Sequence, residues 1–178
     1  MSYTKDRIGT DHRGKYLTKE ANKMNEGFCG CAGTKPVDFT GKTNDNNIAG
    51  DEKPELQNWP IQLKLVGTGG AYLNDADILL AADCAAFSTI GFHHRFIKGK
   101  KVLIGCPKLD NAQQYFEQLT GLFKDFSIKS VSVVRMEVPC CAGLVQAVLQ
   151  ARQRAGKDLS VKETIVSIQG GGQTERAL

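Results

Sequence analysis

The sequence predicts an α/β fold of three layers, with a mainly parallel sheet of four or five strands between flanking helices. Three observations predict it. Apolar runs at 77–82, 101–105 and 131–138 are short and continuous, as strands buried on both faces are. Stretches with apolar residues at helical spacing follow the second and third runs. Strands alternating with helices imply right-handed crossovers, and therefore parallel neighbours.

The chain has 178 residues, enough for one domain with an ordinary core. It is 41% hydrophobic and 24% charged, the balance of a globular protein rather than a disordered one. A net charge of +4 is too mild to mark a nucleic-acid binder. No run is long and apolar enough to suggest a membrane span, and the first residues show no secretory pattern. These features predict a cytoplasmic protein without nucleic-acid or membrane partners, and leave a homo-oligomer open. Six cysteines in a reducing compartment read as metal ligands or redox thiols rather than a disulfide framework.

Residues 1–58 are polar and without period, and predict an irregular N-terminal arm. The arm carries a glycine-rich loop with Cys29 and Cys31. Residues 59–178 form the expected α/β domain. Pro60 biases Trp59 toward extended backbone. The alternation in 61–66 predicts a strand with one wet face. GTGG at 67–70 ends it; it lacks the spacing and context of a dinucleotide loop, so it is read as a turn.

The 77–82 strand follows, then a short helix within 85–97, weakened by Gly91, then the 101–105 strand. Asp110 is the expected N-cap of the next helix, with Gln113 three residues on. That helix carries Tyr115, Phe116, Leu119, Leu122, Phe123 and Phe126 on one face, a core stripe. After the 131–138 strand, Leu144, Val145, Val148 and Leu149 line a second helix that stops near Gly156. A last strand is expected at 163–168, and glycines 170–172 open a loose tail. The whole reads as a Rossmann-like arrangement.

Four cysteines sit at or just past the ends of the three buried strands. Cys84 follows the first and Cys106 the second. Cys140 and Cys141 follow the third, across Pro139, at the start of a helix. Open α/β sheets bind ligands at the carboxyl edge of their strands, so parallel strands would bring the four thiols to one edge. Cys thiolates are the usual ligands of iron–sulfur clusters. A helix start favours the thiolate form, and small neighbours such as Gly105, Ala142 and Gly143 leave room.

The residues predict an iron–sulfur cluster bound by Cys84, Cys106, Cys140 and Cys141. Cys29 and Cys31 are further candidate ligands. Six thiols leave room for a larger cluster or for two. Such a protein carries electrons or senses redox state rather than catalysing a reaction alone.

Other readings of the same cysteines stand beside this one. Free Cys often only packs in a core. Zinc uses the same thiolates and would make a stabilised binding module. The Cys140–Cys141 pair could serve a thiol-dependent redox enzyme with Cys31 as resolving thiol, or close a strained vicinal disulfide. His93 and His94 read as surface residues before they read as ligands. Asp83, beside Cys84, reads equally as a cap or a proton acceptor.

The segments LQNWPIQLKLV, ADILLAADCAAFS, FHHRFIKGKKVLIGCPKLDN and MEVPCCAGL resemble a family of prokaryotic iron–sulfur proteins common in anaerobes. These are described as 4Fe–4S-binding or ATP-binding ferredoxin-domain proteins, and the resemblance is to their C-terminal domain. GCAGTKPVDF is similar to the GCPG-type segment ahead of that domain, matching at Cys31. The resemblance covers roughly residues 28–168 and implies an iron–sulfur protein, with a 4Fe–4S cluster the first expectation. Members of that family carry an N-terminal ferredoxin module with two sets of cluster cysteines, which this sequence lacks. The resemblance therefore implies that electrons come from a separate partner, such as a ferredoxin or an oxidoreductase. No P-loop is present, so ATP binding is not carried over.

Overall fold

Leu79 and Leu80 are wholly buried, and Ile78 and Ala81 nearly so. They belong to β3 (Asp77–Ala82), which has a parallel neighbour on each side. That double flanking explains why its sequence is continuously apolar rather than alternating. The computed structural model describes residues 35–41, 54–67, 70–169 and 173–178.

The main sheet contains β3, β4 (Lys101–Gly105), β5 (Ser130–Met136), β6 (Ser160–Val166) and β7 (Gln173–Ala177). Their order is β4-β3-β5-β6-β7. The first four are mutually parallel, and β7 pairs antiparallel with β6. Helix α1 (Ala112–Asp125) links β4 to β5, and α2 (Ala142–Ala155) links β5 to β6. The two helices pack on each other. The β3-to-β4 connection travels along the sheet opposite to the later two. Right-handed crossovers therefore set 83–100 on one face and both helices on the other, which makes the expected three layers.

The helices form where the apolar stripes predict. Tyr115, Leu119 and Phe123 of α1, and Leu144, Val148 and Ala151 of α2, are at most 1% exposed. Burying each large apolar side chain is worth about 1.5–3 kcal/mol. The cap of α1 is Asn111, not Asp110. The Asn111 Oδ1 accepts the Gln113 N–H at 2.9 Å, while Asp110 is engaged with other partners. Gly156 ends α2 in the left-handed region at φ 64°, and its N–H returns to the Arg152 and Gln153 carbonyls.

The expected strand at 61–66 is a single parallel bridge, Gln62 to Ile104, followed by a 3-10 turn at Leu63–Leu65. The Ile104 N–H donates to the Ile61 carbonyl at 2.7 Å. A 3-10 turn repeats every three residues, so Leu63 and Val66 are buried while Leu65 is exposed. Alternation over six residues cannot tell this from a strand. The short helix expected at 85–97 is a series of turns through Gly91 (φ 68°), closing in a π-helical turn at His93–Ile97.

Two strand ends also differ. β5 stops at Met136 and β6 begins at Ser160. The tail expected to be loose forms β7 at 173–177, while 170–172 lie outside the described residues. QTERA carries no apolar signal because β7 is an edge strand. It is held by its ladder to β6 and by the ion pairs Lys162–Glu175 (2.5 Å) and Arg176–Glu163.

A small ribbon joins β1 (Val37–Asp38) antiparallel to β2 (Asn58–Trp59). Asn58 is wholly buried and locks β2 onto β4. Its side chain accepts from the Val102 N–H at 2.7 Å and donates to the Val102 carbonyl at 3.0 Å. Residues from Lys35 on thus form one compact unit with the sheet. Among the described residues no helix is long and apolar enough to cross a membrane.

Candidate thiol site at the carboxyl edge of the sheet

The chain leaves β3 for β4 on one side, then crosses back over β3 to reach β5 on the other. The carboxyl ends of β3 and β5 therefore flank the topological switch point, where such sheets hold ligands. Cys84 comes two residues after β3 ends, on one wall of that crevice. Cys140 and Cys141 stand on the other, in the 3-10 turn Pro139–Cys141 that feeds α2. Cys106 follows β4 directly, on the far side of β3.

All four are free thiols. Cys84 and Cys140 are exposed, Cys106 is half-buried and Cys141 is buried. Burial pushes the Cys141 thiol up. A backbone hydrogen bond at Met136 opposes this, while the adjoining Cys140 and Cys106 add to it. Cys140 and Cys106 both lie within electrostatic reach of the Cys141 thiol. All four described thiols thus stand on loops at the same edge of the sheet, with Cys106 and Cys140 near enough to act on Cys141. Cys29 and Cys31 lie outside the described residues.

Two contacts tie the end of β4 and its loop to their neighbours here. A side chain on Gly143 would bring its Cβ within 3.1 Å of the Pro107 Cβ. The residue after Cys106 therefore lies against the first turn of α2, two residues past Cys141. The Asp83 N–H donates to the Gly105 carbonyl at 3.2 Å, tying the loop after β3 to the end of β4.

Behind Cys106 is a polar cluster that the sequence pattern did not reveal. The Cys106 N–H donates to the Tyr115 hydroxyl at 2.9 Å. That hydroxyl donates in turn to Asp110 Oδ2, and Lys64 Nζ pairs with Asp110 Oδ1 at 3.0 Å. The hydrogen bond from Tyr115 and the Lys64 charge hold the Asp110 carboxyl below its ordinary value. Burial, with Asp110 adding to it, pushes Tyr115 up. Burial and the Asp110 charge push Asp83 up as well, against a 3.4 Å hydrogen bond from Gln62.

Tyr115 looked like one more residue of the core stripe, and its ring is indeed buried. The one local hint of its second role is Gly105. A Cβ there would stand 2.4 Å from the Tyr115 hydroxyl. The histidines sit elsewhere. His93 Nδ1 accepts the Glu55 N–H at 3.2 Å, and His94 is exposed, both on the segment leading to the start of β4. Asp83 caps no helix; its carboxylate accepts from Gln62. Of GTGG, 68–69 lie outside the described residues, and Gly70 opens the turn Ala71–Leu73.

Thiols are the donors here, and they fit a thiolate-ligated group by chemistry. Among the described residues no three Cys, His, Asp or Glu side chains stand close enough to hold one metal ion as they are.

Strand order, switch point and helices on the sheet define a doubly wound α/β domain. The chain belongs to the Rossmann-like domain family, whose model matches residues 70–177. It is similar to an uncharacterized protein of Archaeoglobus fulgidus, 33% identical over 116 residues, which are 65% of this chain and 81% of that relative. No solved structure matches.

Proposed function

We propose that this protein binds an iron–sulfur cluster through thiolates at the carboxyl edge of its sheet and works in electron transfer or redox sensing. The observation that carries the reading is that Cys84, Cys106, Cys140 and Cys141 all stand on loops at the carboxyl edge of parallel strands of one sheet, with Cys84 and the Cys140–Cys141 pair flanking the switch point. Those four residues would hold the group. Bound there, it would supply one-electron redox chemistry.

The chain's own part is to gather the thiols and shape their surroundings. Cys141 lies at the start of α2, where the helix dipole works against the burial that raises its thiol, and ligation would supply the rest of what the thiolate needs. Buried Cys141 and half-buried Cys106 set the inner side of the site, and exposed Cys84 and Cys140 the outer side, open to a redox partner. The resemblance to ferredoxin-domain proteins supports the same reading, with electrons arriving from a separate protein.

Anaerobic reconstitution with iron and sulfide tests it. The expected result is a brown protein with stoichiometric iron and acid-labile sulfide and broad absorbance near roughly 400 nm. Cys106→Ser, which replaces sulfur by a harder ligand atom, should lower the iron content or shift the spectrum. A colourless parent would sink the proposal.

A second reading has its own observation, two adjacent free thiols, Cys140 exposed and Cys141 buried, in one 3-10 turn. It makes the pair a redox dithiol of an enzyme. A metal-free protein in which Cys140→Ser and Cys141→Ser each abolish thiol–disulfide exchange would favour it.

A further inference from the structure

We propose that Tyr115 is the positioning residue of the thiol site, acting on Cys106 through its backbone amide rather than touching the sulfur. This deepens the reading of the site as a cluster-binding edge and rests on it.

The Cys106 peptide is gripped from both sides. Its N–H is taken by the Tyr115 hydroxyl at 2.9 Å. Its carbonyl accepts from the Leu109 N–H at 3.1 Å and the Asp110 N–H at 2.9 Å. The Tyr115 side chain, on the inner face of α1, is wholly buried. Its hydroxyl is pinned by Asp110, which Lys64 pins in turn. Gly105 completes the lock. Any larger residue there would collide with the hydroxyl, at 2.4 Å from a Cβ, so the oxygen fits only because that residue has no side chain.

A sulfur-directed role for the Cys106 amide is thereby closed off. Amides near cluster ligands commonly point at sulfur; this one points at a phenol. The consequence is geometric. The Cys106 backbone is fixed to α1, and Pro107 beside it is fixed against Gly143 of α2. The separation between Cys106 and the Cys140–Cys141 pair is therefore set by how α1 packs on α2. Tyr115 is the link that transmits it. A phenylalanine would fill the same core space and leave the Cys106 loop free to drift.

The experiment uses the full chain, metal-free and reduced, and measures alkylation of each cysteine by iodoacetamide with peptide mass spectrometry. Tyr115→Phe should raise the rate at Cys106 by about fivefold, the equivalent of one ordinary hydrogen bond, with Cys84 and Cys140 unchanged. Asp110→Asn, which keeps the ring and hydroxyl, should raise it in the same direction by less. A Cys106 rate that is unchanged or lowered in Tyr115→Phe, or a rise shared equally by all the thiols, overturns the proposal. In the iron-loaded protein Tyr115→Phe should shift the midpoint potential; full iron with an unshifted potential also overturns it. A parent that takes up no iron sinks the cluster instead, and the alkylation result then decides the positioning role alone.

Discussion

Lys101 opens β4 with its ammonium group almost out of water, which a lone charge would not tolerate. Asp38 Oδ1 accepts from Nζ at 2.6 Å, Thr40 Oγ1 at 2.5 Å and the Gln57 carbonyl at 3.3 Å. The Tyr72 ring lies 5.8 Å from Nζ. Burial pushes the Asp38 carboxyl up, but hydrogen bonds from Lys101 and Thr40 outweigh it and bring it down to about 2. A folded value below the unfolded one means stability that is complete above the unfolded carboxylate value, near about 4. It is lost as pH falls toward about 2. The stability difference between the parent and Asp38→Asn, followed by urea unfolding, should therefore be widest above pH about 5 and shrink through that window. A difference independent of pH would show that the pair contributes no linkage.

Glu163 is the deeper case, a wholly buried carboxylate between Arg135 at 2.6 Å and Arg176. Burial would raise its pKa, yet the two guanidiniums hold it below the ordinary range. Arg135→Leu removes the buried partner and leaves the carboxylate with only a half-exposed one. A loss of about 3 kcal/mol in unfolding free energy is expected. A loss under about 1 kcal/mol would mean that Arg176 alone satisfies the carboxylate.

At the scale of elements, each helix is stopped or started by a residue whose local chemistry suffices. Asn111→Ala should cost about 1 kcal/mol, as the loss of an N-cap usually does, and Asp110→Ala should not reproduce it through helix capping. Circular dichroism with thermal melting would check the first. The cap fell one residue from its expected place because Asp110 is drawn into the Tyr115 and Lys64 contacts. β7 is the opposite kind of element. Its polar residues carry no strand signal, and it exists because β6 offers an open edge and Glu163 and Lys162 offer charges to pair. Sequence patterns report burial, and an edge strand that buries little leaves no pattern to read.

For the molecule as a whole, the carboxyl edge of the sheet is where departures from a quiet surface collect. Its loops carry the four described thiols. They also carry Phe87 and Ile90 after β3, Leu109 after β4 and Ile168 after β6, from 95% to 63% exposed. These side chains give the fold nothing, since they are already in water. Phe87→Ser with Ile90→Ser should leave the unfolding free energy of the domain, followed by urea denaturation, within about 0.5 kcal/mol of the parent's, the range of an ordinary surface change. A large loss would show that the loop after β3 is packed in solution.

The sequence by itself determined the three buried strands, the two core-facing helices, and the position of Cys84, Cys106, Cys140 and Cys141 at strand ends. Each is a local property: an apolar run ends where the chain turns out of the sheet, and the next residue stands on the edge. What only the tertiary structure decided depends on residues far apart in the chain. Strand order set which thiols share the switch point. Packing of α1 beneath β4 turned Tyr115 from a core residue into a partner of the Cys106 amide. Lys64 reached Asp110 across 46 positions. Hydrogen bonds and ion pairs of that range carry no periodicity, so no reading of a single chain along its length could have placed them.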